Sequence, residues 1–265
     1  MGLTDRLFPE LKPRQVIYAG DRHCEVVRLV KKKIVQRRRI EGVSLLEPDA
    51  GRWPEIAAHL QPQDTGVVLN SDPFIFNFFE FDRLPWSPKL LSELVDWKLR
   101  KIFPENIEAY EHRFFRLNKK RIFSILVKKT LLEQLESLFR EKHVSLIGIG
   151  SSTLETMNRL AKVRRPADFF VEIDDAGCCL VFQSQGLPVY IRKFRIGSRL
   201  EMAAEISKTV QFVKNSYGCA ARSYVIVEHQ QEAFADRLAA ELAGENLSCR
   251  NADWAGKTPY IPGSQ

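Results

Sequence analysis

Apolar runs of strand length, separated by turn residues, recur in two similar groups along this chain. Each group predicts three consecutive antiparallel strands, at residues 15–19, 24–30 and 33–42 and again at 168–173, 177–183 and 188–196. Within 24–30 the apolar side chains fall on both faces, which is typical of a strand buried on both sides. Further helices and strands follow each group, so the pattern predicts a duplicated α/β (mixed α+β) architecture.

A different pattern, at about residues 72–150, separates the two groups. It begins with an aromatic-rich extended segment, ends with the apolar run 144–150, and places a hairpin at 109–127 between two predicted helices. The order β-α-β-β-α-β is that of the ferredoxin-like split unit. We therefore expect a ferredoxin-like insert inside a first domain, 1–165, followed by a second domain at 166–265.

The first helix of this insert has clear boundaries in the sequence. Ser87 followed by Pro88 is typical of an N-cap and the first helical position, and Pro104 ends the helix. Its apolar residues are expected to face the core of the insert because they recur at helical spacing. They are Leu90, Leu91, Leu94, Val95, Leu99 and Ile102.

Composition excludes several classes of protein. Hydrophobic residues make up 45% of the 265 residues, which excludes a disordered chain. No apolar run approaches the ~18 residues of a membrane span, and no apolar segment near the N-terminus predicts a signal peptide. None of the five cysteines forms a C-x-x-C pair, so we expect a protein of the reducing cytoplasm.

The excess of positive charge, +7 in all, is concentrated in two segments. Residues 28–39 hold seven cations and no acid, and residues 98–129 hold ten cations against three glutamates. Such segments favour binding to nucleic acid, an anionic membrane surface or an acidic partner. A solvated face of a sheet explains them equally well.

The duplicated meander with its insert resembles the actin-like ATPase superfamily, and within it the families of the pilus-assembly protein PilM and the cytoplasmic part of the type II secretion protein GspL. The similar stretches are 84–104, 144–149, 168–173, 194–197 and 205–212. The resemblance implies two actin-like (ribonuclease H-like) domains. It also implies a cytoplasmic scaffold at the inner face of the membrane, in a type IV pilus or type II secretion platform.

The two phosphate loops of active relatives read Asp-Ile-Gly-Ser-Ser, and both differ here. In the first loop Tyr18 stands at the position of the Asp, and Asp21 follows the retained Gly20. In the second loop Glu172 keeps a carboxylate, but Asp174 replaces the glycine and Asp175 adds a second negative charge. Carboxylates beside a polyphosphate repel it at close range, so these loops are expected to be vestigial.

The adenosine end of the expected nucleotide site also departs from the family. The stretch 228–231, which corresponds to a glycine-rich loop of active relatives, contains no glycine, and Ile196-Gly197 leads directly into a helix at Arg199. The small subdomain that covers the nucleotide in relatives is therefore absent from the second domain. The resemblance, with these departures, implies no catalytic residue, no metal and no cofactor, unless irregular loops still support an ATPase that uses ATP and Mg²⁺.

Other candidate chemistry in the sequence is sparse. Asp174 and Asp175 with Glu172 could hold a divalent ion, but a charged hairpin turn is the favoured reading because Asp is a common turn residue. The five histidines show no metal-ligand spacing, and no P-loop or nucleophile-elbow motif occurs.

The resemblance also implies the nature of the partners. Family members hold the cytoplasmic tail of a bitopic membrane partner between the insert and the first domain, and we expect the motor ATPase as a further partner and membrane association through these partners. The candidate partner-binding residues are Phe76, Phe78, Arg113, Arg116, Lys119, Lys120 and Arg121. The basic hairpin also resembles an RNA-binding surface, with Phe114, Phe115 and Phe123 as stacking groups, although no RNP-type motif is present and nucleic acid is not the expected partner. The sequence leaves the oligomeric state open.

Overall fold

The computed structural model describes most of the chain as two compact units. The described residues are 14–20, 22–30, 33–46, 52–104, 106–161, 168–173, 177–184, 187–195, 199–218, 221–228, 232–243 and 247–249. One unit is Met1–Asp72 together with Leu138–Gln265, and the other is Pro73–Ser137.

The described strands and helices are numbered separately in chain order. The strands are β1 Gln15–Ala19, β2 His23–Val30, β3 Lys33–Glu41, β4 Thr65–Leu69, β5 Phe74–Glu80, β6 Tyr110–Arg116, β7 Arg121–Lys128, β8 Leu146–Ser151, β9 Phe169–Ile173, β10 Gly177–Ser184, β11 Leu187–Arg195, β12 Ser223–Glu228 and β13 Ser248–Cys249. The helices are α1 Trp53–Ala57, α2 Pro88–Ile102, α3 Lys129–Glu141, α4 Ser152–Ala161, α5 Arg199–Tyr217 and α6 Glu232–Ala243. The first three strands of each predicted group thus form within a residue or two of the expected positions.

The first unit contains two five-stranded sheets with the same topology. Sheet 1 has the order β3-β2-β1-β4-β8, and sheet 2 has the order β11-β10-β9-β12-β13. In each sheet three antiparallel strands form a meander, and two parallel strands extend it beyond the first strand. The duplication predicted from the sequence is therefore confirmed at the level of strand order and direction.

The core of sheet 2 shows why the meander is so apolar. Alternate residues of β9, including Phe169 and Val171, point to one face, where they pack with Met202 and Ile206 of α5 and Leu238 of α6. The other face of β9 carries Glu172, which is buried as well. A strand that is covered on both faces needs apolar residues at consecutive positions.

The second unit, which we call the insert, contains a three-stranded antiparallel sheet of order β5-β7-β6. Helix α2 covers one face of it through Val95 and Leu99, which are fully buried with Ile122 and Leu126 of β7. The predicted N-cap is confirmed, because the Ser87 hydroxyl accepts a hydrogen bond from the amide of Leu90 at 3.5 Å.

Two expectations for the insert were wrong. The predicted element order is present, but its last strand, β8, pairs with β4 in sheet 1 and not with the insert sheet. The reason is that the apolar run of β8 fits any buried position, and its partner lies far away in sequence. Leu90, expected in the core, is 54% exposed, because it lies on the opposite side of α2 from Val95 and Leu99; Ile102, also expected there, is 46% exposed in the last turn.

None of the helices formed by the described residues is both long enough and apolar enough to cross a bilayer.

Candidate functional site

Residues from both five-stranded sheets of the first unit line one cavity of about 220 Å³. The lining residues come from the end of β4 and from β9, β10 and β11: Asn70, Ser71, Asp72, Glu172, Gly177, Cys178, Lys193, Phe194 and Arg195. The volume lies below the roughly 300–1,000 Å³ of typical small-molecule pockets. Both signs of charge are present, because Asp72 and Glu172 face Lys193 and Arg195 around the cavity.

Lys193 connects the two sheets at this cavity. Its Nζ, carried by β11, donates hydrogen bonds to the backbone carbonyls of Ser71 at 3.2 Å and Asp72 at 2.9 Å, just after β4. Burial lowers the pKa of Lys193, and the charge of Asp72 acts in the opposite direction. The ammonium group of Lys193 on β11 therefore lies next to the backbone that follows the end of β4.

A second contact is made by Glu172, a residue of the second predicted phosphate loop that lines the cavity. Glu172 is 3% exposed, and its Oε2 accepts a hydrogen bond from the hydroxyl of Thr153 in the first turn of α4 at 2.5 Å. Cys179 lies directly opposite on β10, and burial, followed by the charge of Glu172, raises the pKa of its thiol to about 12. The carboxylate is therefore held by groups of the chain itself.

The first predicted phosphate loop lies between the paired strands β1 and β2. The amide of Gly20 donates to the carbonyl of His23 at 2.9 Å. Tyr18 is 2% exposed and packs with Val16 and Val68 of sheet 1. Where the Asp-Ile-Gly-Ser-Ser loop has its Asp, this chain has an aromatic ring in an apolar cluster and no carboxylate for a hard metal ion.

The other predicted loop residues can be placed only in part. Asp21, Asp174 and Asp175 lie outside the described residues, as does the stretch 229–231. β11 ends at Arg195 and α5 begins at Arg199, so residues 196–198 are the entire connection between them. Within the part of the chain that the structure describes, no group of three His, Cys, Asp or Glu side chains could hold a metal ion.

The predicted partner-binding residues divide between two faces of the insert. Strand register places Phe76 and Arg113 in one row across β7, and Phe78 in the next row with Phe123. Arg121 lies on the same face, with its guanidinium 5.4 Å from the ring of Phe78 and its Nε 3.0 Å from Glu80. We call this surface the aromatic face of the insert sheet.

The remaining predicted residues lie elsewhere. Arg116 is on the opposite face, where it donates to the carbonyl of Pro85 and stacks 5.7 Å from the ring of Trp86. Lys119 and Lys120 are exposed in the turn between β6 and β7. The hairpin that the sequence predicted is present, but the sequence alone could not separate its two faces.

The aromatic residues proposed for RNA stacking are largely covered. Phe123 is fully buried and Phe115 is 8% exposed, with their rings 6.2 Å apart. Rings that pack on each other inside a sheet are not available to stack on bases.

No known protein-family model matches this chain, and no curated protein sequence matches it. Solved structures do. A structure titled PilM-PilN type IV pilus biogenesis complex matches with a TM-score of 0.69 at 13% identity, over 91% of this chain and 88% of the other. The cytoplasmic domain of EpsL, an inner membrane component of the type II secretion system of Vibrio cholerae, matches with a TM-score of 0.58 at 10% identity, over 94% and 89%. A Bacteroides thetaiotaomicron protein of unknown function with an actin-like ATPase fold gives 0.60 at 10% identity, over 94% of both chains. At these identities the likeness concerns the fold alone.

Proposed function

We propose that this chain, which has the actin-like fold, is a cytoplasmic scaffold of a type IV pilus or type II secretion platform at the inner membrane and does not hydrolyse ATP. The observation that carries the proposal is that two charged side chains at the cavity are already hydrogen-bonded to groups of the chain. Lys193 is hydrogen-bonded to Ser71 and Asp72 across the cavity, and Glu172 is hydrogen-bonded to Thr153. The groups that would meet a nucleotide are thus engaged with the chain itself.

Three further features support the loss of nucleotide binding. The cavity of about 220 Å³ is small for a nucleoside triphosphate. Tyr18 is an aromatic ring in the core. The connection 196–198 is too short to carry a subdomain that would cover an adenine ring.

The work of such a scaffold is recognition, and the aromatic face of the insert sheet is the proposed contact for the cytoplasmic tail of a membrane partner. Phe76 and Phe78 are partly exposed there, and Arg113 is exposed beside them. Apolar rings and cations suit a segment with apolar and acidic side chains. The motor ATPase of the platform is the second proposed partner. An interface of ~1,600 Å², or less if it is transient, is expected.

Nucleotide binding is tested by the melting temperature of the purified chain with and without Mg²⁺ and ATP. A nucleotide at a hundred times its dissociation constant stabilises a protein by ~2.7 kcal/mol, which a melting curve resolves easily. The scaffold proposal requires no shift with ATP or ADP. A clear shift that Gly20→Glu abolishes would contradict it and would favour the alternative, an active ATPase, which a direct assay of ATP hydrolysis would then test.

Partner recognition is tested in extracts of the native cells with solubilised membranes. The wild-type chain is expected to retain a pilus or secretion platform component, and Arg113→Glu on the aromatic face is expected to release it. Lys214→Glu, the same charge reversal on the exposed side of α5, is the matched control and should retain it. Capture of RNA or DNA in place of platform proteins, with binding that falls steeply as salt rises, would instead identify a nucleic-acid-binding protein.

A further inference from the structure

The outer side of α2 and the segment just before it carry three large apolar side chains that are exposed to solvent. Trp86 is 77% exposed, Leu90 is 54% exposed and Trp97 is 49% exposed. Leu90 and Trp97 are seven residues apart, so both lie along one side of the helix, and Trp86 directly precedes the N-cap residue Ser87. This side is opposite Val95 and Leu99, which hold α2 on the insert sheet.

Cations accompany both tryptophans on this side. The ammonium of Lys101 lies 4.0 Å from the centre of the Trp97 ring, and the guanidinium of Arg116 lies 5.7 Å from the ring of Trp86. Glu93 lies between Leu90 and Trp97 along the helix and is exposed, so this side also carries a negative charge. We call this surface, formed by Trp86, Leu90, Trp97 and Lys101, the tryptophan ridge.

We propose that the tryptophan ridge binds directly to a bilayer surface that is rich in anionic lipid. Tryptophan is the side chain that accumulates at membrane–water interfaces, because its ring is apolar and its N–H can remain hydrated. Cations next to it, here Lys101 and Arg116, attract anionic headgroups, and each contributes to binding within a Debye length of the surface. The ridge unites both features on one helix, as interfacial helices do.

The shape of the ridge decides between a lipid surface and an acidic peptide. A side chain that is half to three-quarters exposed stands out from the surface, whereas recognition of a peptide by a helix or groove needs concave apolar walls. A bilayer interface accepts protruding side chains to a depth of ~5–10 Å. Leu90 and Trp97 are separated by ~10 Å along the helix axis, so both can enter the interface while α2 lies parallel to it.

This inference is independent of the proposed scaffold function, because it concerns contact with lipid and not with a platform protein. It also differs from membrane association through partners. A chain that binds lipid by the ridge would do so in the absence of every other protein.

The test is co-sedimentation of the purified full chain with vesicles. One set contains equal parts of phosphatidylglycerol and phosphatidylcholine, and the other contains phosphatidylcholine alone. The wild-type chain is expected to bind the anionic vesicles at least ~10-fold more tightly than the neutral ones, and binding should weaken as salt rises. Trp97→Ala with Leu90→Ala, and separately Lys101→Glu, should each weaken binding at least ~10-fold.

Matched controls make the same changes elsewhere on the exposed surface. Val35→Ala on β3, where Val35 is 52% exposed, replaces an apolar side chain, and Lys214→Glu on α5 reverses a charge. Both controls should bind like the wild-type chain, and all variants should keep the wild-type circular dichroism. The proposal is overturned if the wild-type chain does not bind anionic vesicles, or if the control variants lose as much binding as the ridge variants. Binding of an acidic peptide or RNA by the ridge, with no binding to vesicles, would overturn it as well.

Discussion

The hydrogen bond between Thr153 and Glu172, at the cavity, allows a quantitative test of how much one such bond contributes to the free energy of unfolding. Thr153 is fully buried and Glu172 is 3% exposed, so water cannot replace the hydroxyl if it is removed. Thr153→Val keeps the shape of the side chain and removes only the donor. The buried carboxylate then loses one of the hydrogen bonds that compensate for its desolvation.

The expected magnitude follows from the charge of the acceptor. Hydrogen bonds to charged groups contribute ~1.5–3 kcal/mol, more than those between neutral groups. For a chain of this size, 1 kcal/mol corresponds to roughly 2–4 °C in melting temperature. A loss of ~2 kcal/mol should therefore lower the melting temperature by about 4–8 °C.

The assay is urea denaturation together with thermal melting, and Thr156→Val is the control because it makes the same change one turn further along α4. A double-mutant cycle with Glu172→Gln should give a coupling energy of at least ~1 kcal/mol between positions 153 and 172. If the melting temperatures of Thr153→Val and Thr156→Val agree within a degree, the bond between Thr153 and Glu172 does not stabilise the folded chain. A coupling energy near zero would refute the reasoning in the same way.

Three further predictions concern single residues elsewhere. Gly218 ends α5 with φ of +66°, and its amide donates to the carbonyl of Lys214. Gly218→Ala should therefore lower the free energy of unfolding, measured in urea, by ~1 kcal/mol, and Gly218→Asn should lower it less. Equal stability of all three proteins would contradict the role of the positive φ. Because burial raises the pKa of Cys179 to about 12, its thiol should resist alkylation at neutral pH in the folded chain and react in urea, as followed by mass spectrometry. Hydrogen bonds from Lys208 and Arg192 lower the pKa of Glu205 below 4.5, so its contribution to stability is present above that pH and is lost as the pH falls through the lowered pKa. Arg192→Met should move the NMR titration of Glu205 back towards 4.5, and an unchanged titration would refute this assignment.

Local patterns in the sequence predicted the elements of the fold well, because turn residues and caps mark their ends. The meander β9 to β11 was expected within two residues of its bounds, and the sequence alone identified Ser87 as an N-cap. Duplication followed from the similar order of the two groups. These features depend on neighbours in sequence, so a single sequence contains the necessary information.

The pairing of β8 and the exposed side of α2 were not predictable by the same means. An apolar run indicates burial but does not name its partner strand, and β8 pairs with β4 across the entire insert. Leu90 was assigned to the core because α2 is apolar over more than half of its circumference. Helical spacing places Leu90 and Trp97 on the side of α2 away from Val95. This spacing could have shown that Leu90 does not face the core.

The sequence singled out some residues of the candidate site but not the contacts that they make. Glu172 and Tyr18 were singled out from the sequence, and the structure places Glu172 at the cavity and Tyr18 in the core. Lys193 was missed, because a lysine at an alternating position of a strand resembles any solvent-facing residue. Its hydrogen bonds to Ser71 and Asp72 depend on the approach of the two sheets, which local sequence does not encode.

The position of β8 also determines the sequence of events during synthesis. Sheet 1 needs residues on both sides of the insert, so its fourth and fifth strands can pair only after Ser151 has left the ribosome. The insert sheet, in contrast, is complete once Lys128 has emerged. If the insert folds first, the distance between its two ends is fixed. The connection between β4 and β8 then behaves like a short loop, so less conformational entropy is lost when these strands pair. We therefore expect the nascent chain to acquire its smallest sheet before either of the large ones.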